Sequence, residues 1–168
     1  MKTTFLSALL CLSMLLSVSV KAQSLSPIQF SDHLTAIVDS LYASGKQWGT
    51  SFNEAYKTKD YASLTPYRAN MEKYILACIV ELKAMKDVKN SRDLRMAVLD
   101  LLYIEQKLVV HGLKPLEAFN SQSSAEEVKA AMDKISKDVE VESREIQKVS
   151  AAQIAYAKAN GFRIEGQE

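Results

Sequence analysis

Four stretches of the chain carry apolar residues at steps of three and four, the spacing that aligns side chains on one face of an α-helix. They predict helices over residues 32–57, 66–87, 92–111 and 125–159. No stretch shows the two-residue alternation of a β-strand. Because amphipathic helices joined by short links pack as antiparallel neighbours, the sequence predicts an all-α, up-down-up-down four-helix bundle over residues 31–160.

Local signals mark the ends of the last helix, which is the longest of the four. Ser124 and Glu127 have the spacing of a capping box, in which each side chain accepts a hydrogen bond from the other residue's backbone. Gly161 suits the left-handed conformation that ends many helices. At about 1.5 Å per residue the helix spans roughly 50 Å. We therefore expect it to overhang its partners, with residues 161–168 as a tail.

Two other segments are expected to be irregular. Residues 23–30 are largely polar and contain Pro27, so we predict an extended lead-in to the first helix. In the third helix Pro115 follows Gly112 closely, and a proline inside a helix removes a hydrogen bond and clashes with the preceding turn. This predicts a break or a strong kink at Gly112.

The first and second helices each carry one residue that indicates which face points inward. Trp48 lies on the apolar face of the first helix between Gly45 and Gly49, and a close helix crossing there would bury it. Cys78 lies on the apolar face of the second helix, which is typical of a buried structural thiol.

The N-terminus has the composition of an export signal. Lys2 supplies a positive charge, residues 5–20 are apolar apart from serines, and Val20-Lys21-Ala22 has the form of a cleavage site. The apolar run is shorter than the roughly twenty residues that a membrane-spanning helix needs. Cys11 lies inside this run after the large residue Leu10, which argues against a lipid anchor. We therefore expect export to the periplasm, the cell surface or the medium.

Charge and cysteine content narrow the classes of partner. Removing Lys2 and Lys21 from twenty-one basic residues leaves nineteen, against twenty acidic ones, so the mature chain has a formal charge of about −1. Such a chain has no field of one sign that would attract nucleic acid or an anionic membrane. We expect neither nucleic-acid binding nor stable membrane insertion. Cys78 remains as the only cysteine, which excludes an intramolecular disulfide.

Helical bundles can hold metal ions or haem, and the sequence argues against two kinds of such site. A di-iron centre needs two Glu-x-x-His pairs, whereas neither His33 nor His111 has a glutamate three residues before it. No Cys-x-x-Cys-His sequence for covalent haem attachment occurs. A haem or metal carrier remains the alternative hypothesis, because His111 is expected at the same end of the bundle as Met71 and Met132.

Two glutamates interrupt the apolar faces of the last two helices. Glu105 and Glu142 each lie near the middle of a helix, so they can face each other across the bundle. Together with His111 they are the candidate ligand-binding residues. A small rotation would instead place both carboxyls at the boundary of the core, in contact with water or with Lys107. We expect this boundary placement, with ordinary carboxyl pKa values.

Nothing in the chain predicts catalysis, since it has no Gly-x-Ser-x-Gly, His-Glu-x-x-His or phosphate-binding glycine loop.

The signal peptide ending Val20-Lys21-Ala22-Gln23, with helical segments such as Leu94–Tyr103, resembles uncharacterised small exported bacterial proteins described as surface or secreted helical bundles. That resemblance implies a bundle at the cell envelope and no particular activity. The leading hypothesis is a non-enzymatic envelope module that binds a partner protein or a small apolar ligand.

Because the apolar run closes at Ala22, we predict a mature N-terminus at Gln23 and no lipid. Intact-mass measurement of the exported protein should show the loss of residues 1–22. A chain that retains Cys11 and carries a diacylglycerol-sized addition would contradict this prediction.

Overall fold

All regular structure in residues 25–164, which the computed structural model describes, is helical. The four long helices are α1 (Pro27–Thr58), α2 (Thr65–Ala84), α3 (Arg92–Lys107) and α4 (Ala125–Asn160). Short 3-10 turns cover Tyr61–Leu64 and Lys114–Ala118, and a π-helical turn, Leu108–Leu113, continues α3. The predicted signal peptide lies outside the described residues.

The helices form the predicted antiparallel bundle. Each long helix packs against its neighbours in chain order, and α4 closes the ring against α1. His33 near the start of α1 bonds Glu81 near the end of α2, and Tyr156 near the end of α4 donates to the Val88 carbonyl in the α2–α3 link. Within residues 25–164, none of the helices combines the length and the apolarity needed to cross a membrane.

The core contains side chains from every helix and from the turns. Its largest fully buried members are Phe30, Leu34, Tyr61, Leu64, Ile75, Leu82, Leu94, Val98, Leu101, Leu102, Val109 and Leu116. The predicted burial of Trp48 and Cys78 is confirmed. The close helix crossing expected at Gly45 and Gly49 is wrong, because a Cβ atom at either glycine would meet no described atom within 4 Å.

The expected extended lead-in is wrong for residues 27–30, because α1 begins at Pro27. Ser26 and Gln29 form a capping box, with the Gln29 backbone N–H donating to the Ser26 hydroxyl and the Ser26 N–H to the Gln29 side chain. Pro27 occupies the first helical position, where its missing N–H leaves nothing unsatisfied. The earlier start brings Phe30 into the core, where it packs edge-on against Tyr156 at a centroid distance of 6.0 Å.

The ends of the middle helices differ from the prediction as well. α2 ends at Ala84 rather than at residue 87, because Met85 is extended and the Val88 N–H donates to the Ser91 hydroxyl. The predicted interruption between Gly112 and Pro115 is found as a change of helical pitch, because the α-helix ends at Lys107 and the chain continues through the π-helical turn into a 3-10 turn. Pro115 stands at the start of that 3-10 turn, where it disrupts no α-helical hydrogen bond.

Both predicted signals at the ends of α4 are confirmed. Ser124 and Glu127 form the capping box, and Gly161 follows the helix with a φ of 72°. The tail begins by folding back, since Phe162 packs edge-on against Tyr156 at a centroid distance of 5.9 Å.

At the other end of the bundle, a buried cation joins α2 to the second 3-10 turn. The Arg68 guanidinium donates to the carboxylates of Glu72 and Glu117, and the Thr65 hydroxyl donates to Glu117 over 2.8 Å. Removal of one partner from such a network leaves a buried charge uncompensated. The network therefore holds the segment after α3 in place against α2.

Trp48→Ala is predicted to destabilise the fold by about 3–5 kcal/mol, because it leaves a cavity beside the stacked ring of Phe52. Trp48 is 7% exposed, whereas Tyr42 on the same helix is 75% exposed, so Tyr42→Ala is a matched control expected to cost less than about 0.5 kcal/mol. Urea unfolding of both variants measures the difference. A cost below about 1 kcal/mol for Trp48→Ala would show that this face of α1 contributes little packing.

Candidate functional site

One carboxyl group lies in the apolar interior of the bundle. Glu105 is on the face of α3 that also carries Leu101, Leu102, Leu108 and Val109, and it is 7% exposed. α3 packs against both α2 and α4, so a side chain on this face is shielded from water by two helices. A buried carboxyl is costly unless it is neutral or well paired.

Glu142 on α4 is the partner of this carboxyl. Gly112 lies close to α4, since an added Cβ there would lie 3.1 Å from Leu108 and 3.3 Å from Ile135. In the same antiparallel register half-buried Glu142 lies opposite Glu105, near enough to raise the pKa of Glu105 by its charge and by hydrogen bonding. Two carboxyls can bond only if one of them supplies a proton.

Burial, and then the charge and hydrogen bond of Glu142, raise the pKa of Glu105 to about 8. Glu105 therefore holds a proton at neutral pH. The expected boundary placement with ordinary pKa values is wrong for Glu105, which is buried. Lys107 is exposed, and among residues 25–164 no Lys or Arg forms a salt bridge with Glu105.

Within the described residues no group of three or more His, Cys, Asp or Glu side chains is arranged to hold a metal ion. Glu105 and Glu142 are therefore a pair and not part of such a group. With Glu105 protonated, the pair is an uncharged polar contact that joins the last turn of α3 to the middle of α4.

A groove opens beyond the carboxyl pair, between α1, α3 and α4, with a volume of about 170 Å³. Its walls are apolar and come from Leu34, Val38, Leu94, Val98, Ile146 and Val149. Ile146 lies one helical turn along α4 from Glu142, so the groove and the carboxyl pair are neighbours on the same helix. We call this the α1–α4 groove.

Polar residues edge the α1–α4 groove. The Gln153 amide donates to the Thr35 hydroxyl over 2.7 Å and to the Ser31 hydroxyl over 3.3 Å, linking α4 to α1 at one end. Asp39 and Ser150 complete the lining, and Asp39 is its only charged residue. The groove thus offers an apolar interior with hydrogen-bonding groups confined to the rim.

The remaining candidates are placed apart from this region. His111 is exposed on the π-helical turn and does not line the α1–α4 groove. Met71 is buried in the core, and Met132 is half-buried on α4. Sequence reasoning therefore identified the carboxyl pair but not the groove beside it. The sequence carries no signal for the groove, because Ile146 fits the helical spacing of apolar residues and only the structure shows that it is exposed.

No protein-family model, curated protein or solved structure matches this chain.

Replacing Glu105 with Gln should change the pH dependence of stability. The pKa of Glu105 is raised from 4.5 to about 8 in the fold, so the stability contributed by its protonated form is fully present below pH 4.5. This stability is lost as the pH rises through 8. Relative to Glu105→Gln, the wild-type chain should lose roughly 1–3 kcal/mol between pH 5 and pH 8. Urea unfolding at each pH gives this difference.

Glu140→Gln is the matched control, because Glu140 is an exposed carboxylate on α4 close to Glu142. Its stability should follow that of the wild-type chain at every pH. Identical pH dependence in the wild type and in Glu105→Gln would show that the buried carboxyl does not titrate with folding.

Proposed function

We propose that this chain is an exported, non-enzymatic module that binds a small apolar ligand in the α1–α4 groove. The observation that carries the proposal is the apolar wall contributed by three helices, which remains open between α1 and α4. Ligand sites in helical bundles lie between helices and combine apolar walls with a few polar groups. The α1–α4 groove has that composition.

The volume of the groove favours a ligand about the size of one ring. Apolar cavities of about 150 Å³ accept benzene, and the α1–α4 groove has a volume of about 170 Å³. Asp39 is the only charge in the lining, so an anion would meet repulsion without a compensating cation. The preferred ligand is therefore uncharged or cationic, with a compact hydrocarbon body.

The polar groups of the groove support binding rather than catalysis. The Thr35 hydroxyl donates to the Ser31 carbonyl over 3.0 Å and accepts from Gln153, so it is occupied by structural bonds. Ser150 is exposed, and among residues 25–164 no histidine lines the groove beside it as a general base. These polar groups are therefore suited to orienting a bound ligand.

Export is the part of this proposal that depends on the sequence of residues 1–22. A protein outside the cytoplasm with an open apolar groove is suited to capture a small hydrophobic compound from dilute solution. The groove is narrow and edged by polar residues, which favours a small molecule over a partner protein as its occupant.

Filling the mouth of the groove should abolish binding. Toluene and indole are the probes, and their binding is followed by NMR shifts of the Val98 and Val149 methyl groups, which line the groove. Ile146→Trp places a large ring at the opening and should weaken binding at least tenfold, about 1.4 kcal/mol.

Ile154→Trp is the matched control, since Ile154 lies outside the groove on the same helix and is 41% exposed, against 40% for Ile146. It should bind both probes like the wild-type chain. Absence of methyl shifts in the wild type at saturating probe, or equal loss in both variants, would exclude the groove as the binding site.

A further inference from the structure

A second cavity lies between α1 and α2 and has a volume of about 420 Å³. Its α1 wall is formed by Ser40, Ser44 and Gln47, and its α2 wall by Pro66, Tyr67, Asn70, Met71 and Tyr74. None of these side chains belongs to the carboxyl pair or to the α1–α4 groove. We call it the α1–α2 cavity.

The α1–α2 cavity is polar but uncharged. Among the described residues its lining contains hydroxyl and amide groups and no Asp, Glu, Lys, Arg or His. A phosphate, a carboxylate or an ammonium group would lose its hydration there without gaining an opposite charge. A purely hydrocarbon ligand would leave the amide and hydroxyl groups without partners. The lining therefore selects a neutral ligand that both donates and accepts hydrogen bonds.

Much of the hydrogen-bonding capacity of this lining is unused. Gln47 on α1 and Asn70 on α2 are exposed, and neither side chain bonds another described residue, so each amide presents donors and an acceptor. The hydroxyls of Ser40 and Ser44 donate to the backbone carbonyls of Ala36 and Ser40, over 2.7 and 2.8 Å. The Ser40 hydroxyl also pairs with the Tyr74 hydroxyl across the cavity, whereas the Ser44 oxygen remains available as an acceptor.

Two tyrosines give the α1–α2 cavity its length. Tyr67 and Tyr74 are seven residues apart on the same face of α2, which separates them by about 10 Å along the helix axis. Both are half-buried and line the cavity, with the apolar side chain of Met71 between them. An aromatic ring presents an apolar surface with a polar hydroxyl at its edge. This combination matches a sugar ring, which has an apolar C–H face and a rim of hydroxyl groups.

We propose that the α1–α2 cavity binds a neutral disaccharide. In this site the two sugar rings pack against Tyr67 and Tyr74, and the amides of Gln47 and Asn70 bond the sugar hydroxyls from opposite walls. An extended peptide is less well matched, because the backbone groups of both helices are already bonded within the helices and offer no ladder to a peptide backbone.

The experiment titrates the mature chain with cellobiose and with N,N′-diacetylchitobiose, and follows the side-chain amide signals of Gln47 and Asn70 by NMR. At least one of these neutral disaccharides should shift both signals and saturate. A sulfated disaccharide should bind more weakly than the best neutral one, because the lining contains no cation. A blocked tri-alanine peptide should leave both signals unchanged.

Variants test whether the amides make the contacts. Gln47→Ala and Asn70→Ala change exposed side chains, and each should weaken binding roughly fivefold, the loss expected for one neutral hydrogen bond. Asn53→Ala removes an exposed amide elsewhere on α1 and should bind like the wild type. No shift with either disaccharide, equal binding in all three variants, or shifts caused by the tripeptide instead would overturn the proposal. Because the toluene and indole experiment concerns the other groove, its result is independent of this one.

Discussion

The close packing of α3 and its π-helical extension against α4 is the constraint on which the rest of the structure depends. At Gly112 the absence of a side chain leaves room for Ile135, which makes a close contact in the antiparallel register of the two helices. With that register Glu105 meets Glu142 in the interior rather than meeting solvent. α4 packs more extensively against α3 than against α1. The α1–α4 groove lies between these three helices, and the Gln153–Thr35 bond crosses it from α4 to α1.

The carboxyl pair shows how the bundle accommodates a polar residue in its apolar interior. An ionised Glu105 would lack a cation, and water is excluded by α2 and α4. Protonation removes the charge. The raised pKa of Glu105 means that the fold favours this neutral form. Arg68 illustrates the other solution, because its buried charge is compensated by two carboxylates. The two arrangements differ in their pH dependence. The carboxyl pair makes the stability of the interior depend on pH near neutrality, whereas the Arg68 network does not.

The α1–α4 groove and the α1–α2 cavity both lie beside α1. The α1–α4 groove has apolar walls with polar residues at the rim, whereas the α1–α2 cavity is lined by hydroxyl, amide and tyrosine groups. A helix whose neighbours leave gaps on two sides provides two surfaces of different chemistry without extra loops. α1 is thus the helix that contributes side chains to both linings.

Periodicity and local signals in the sequence alone determined the all-α class, the four helices, both ends of α4 and the burial of Trp48 and Cys78. These properties follow from spacing along one helix, which the chain carries locally. The sequence also carries the signal for the start of α1, since Ser26 and Gln29 have the spacing of a capping box and Pro27 lies between them. Only the tertiary structure decided that Glu105 is buried and that a groove opens between α1 and α4, because the rotation and separation of helices depend on contacts between side chains of different helices.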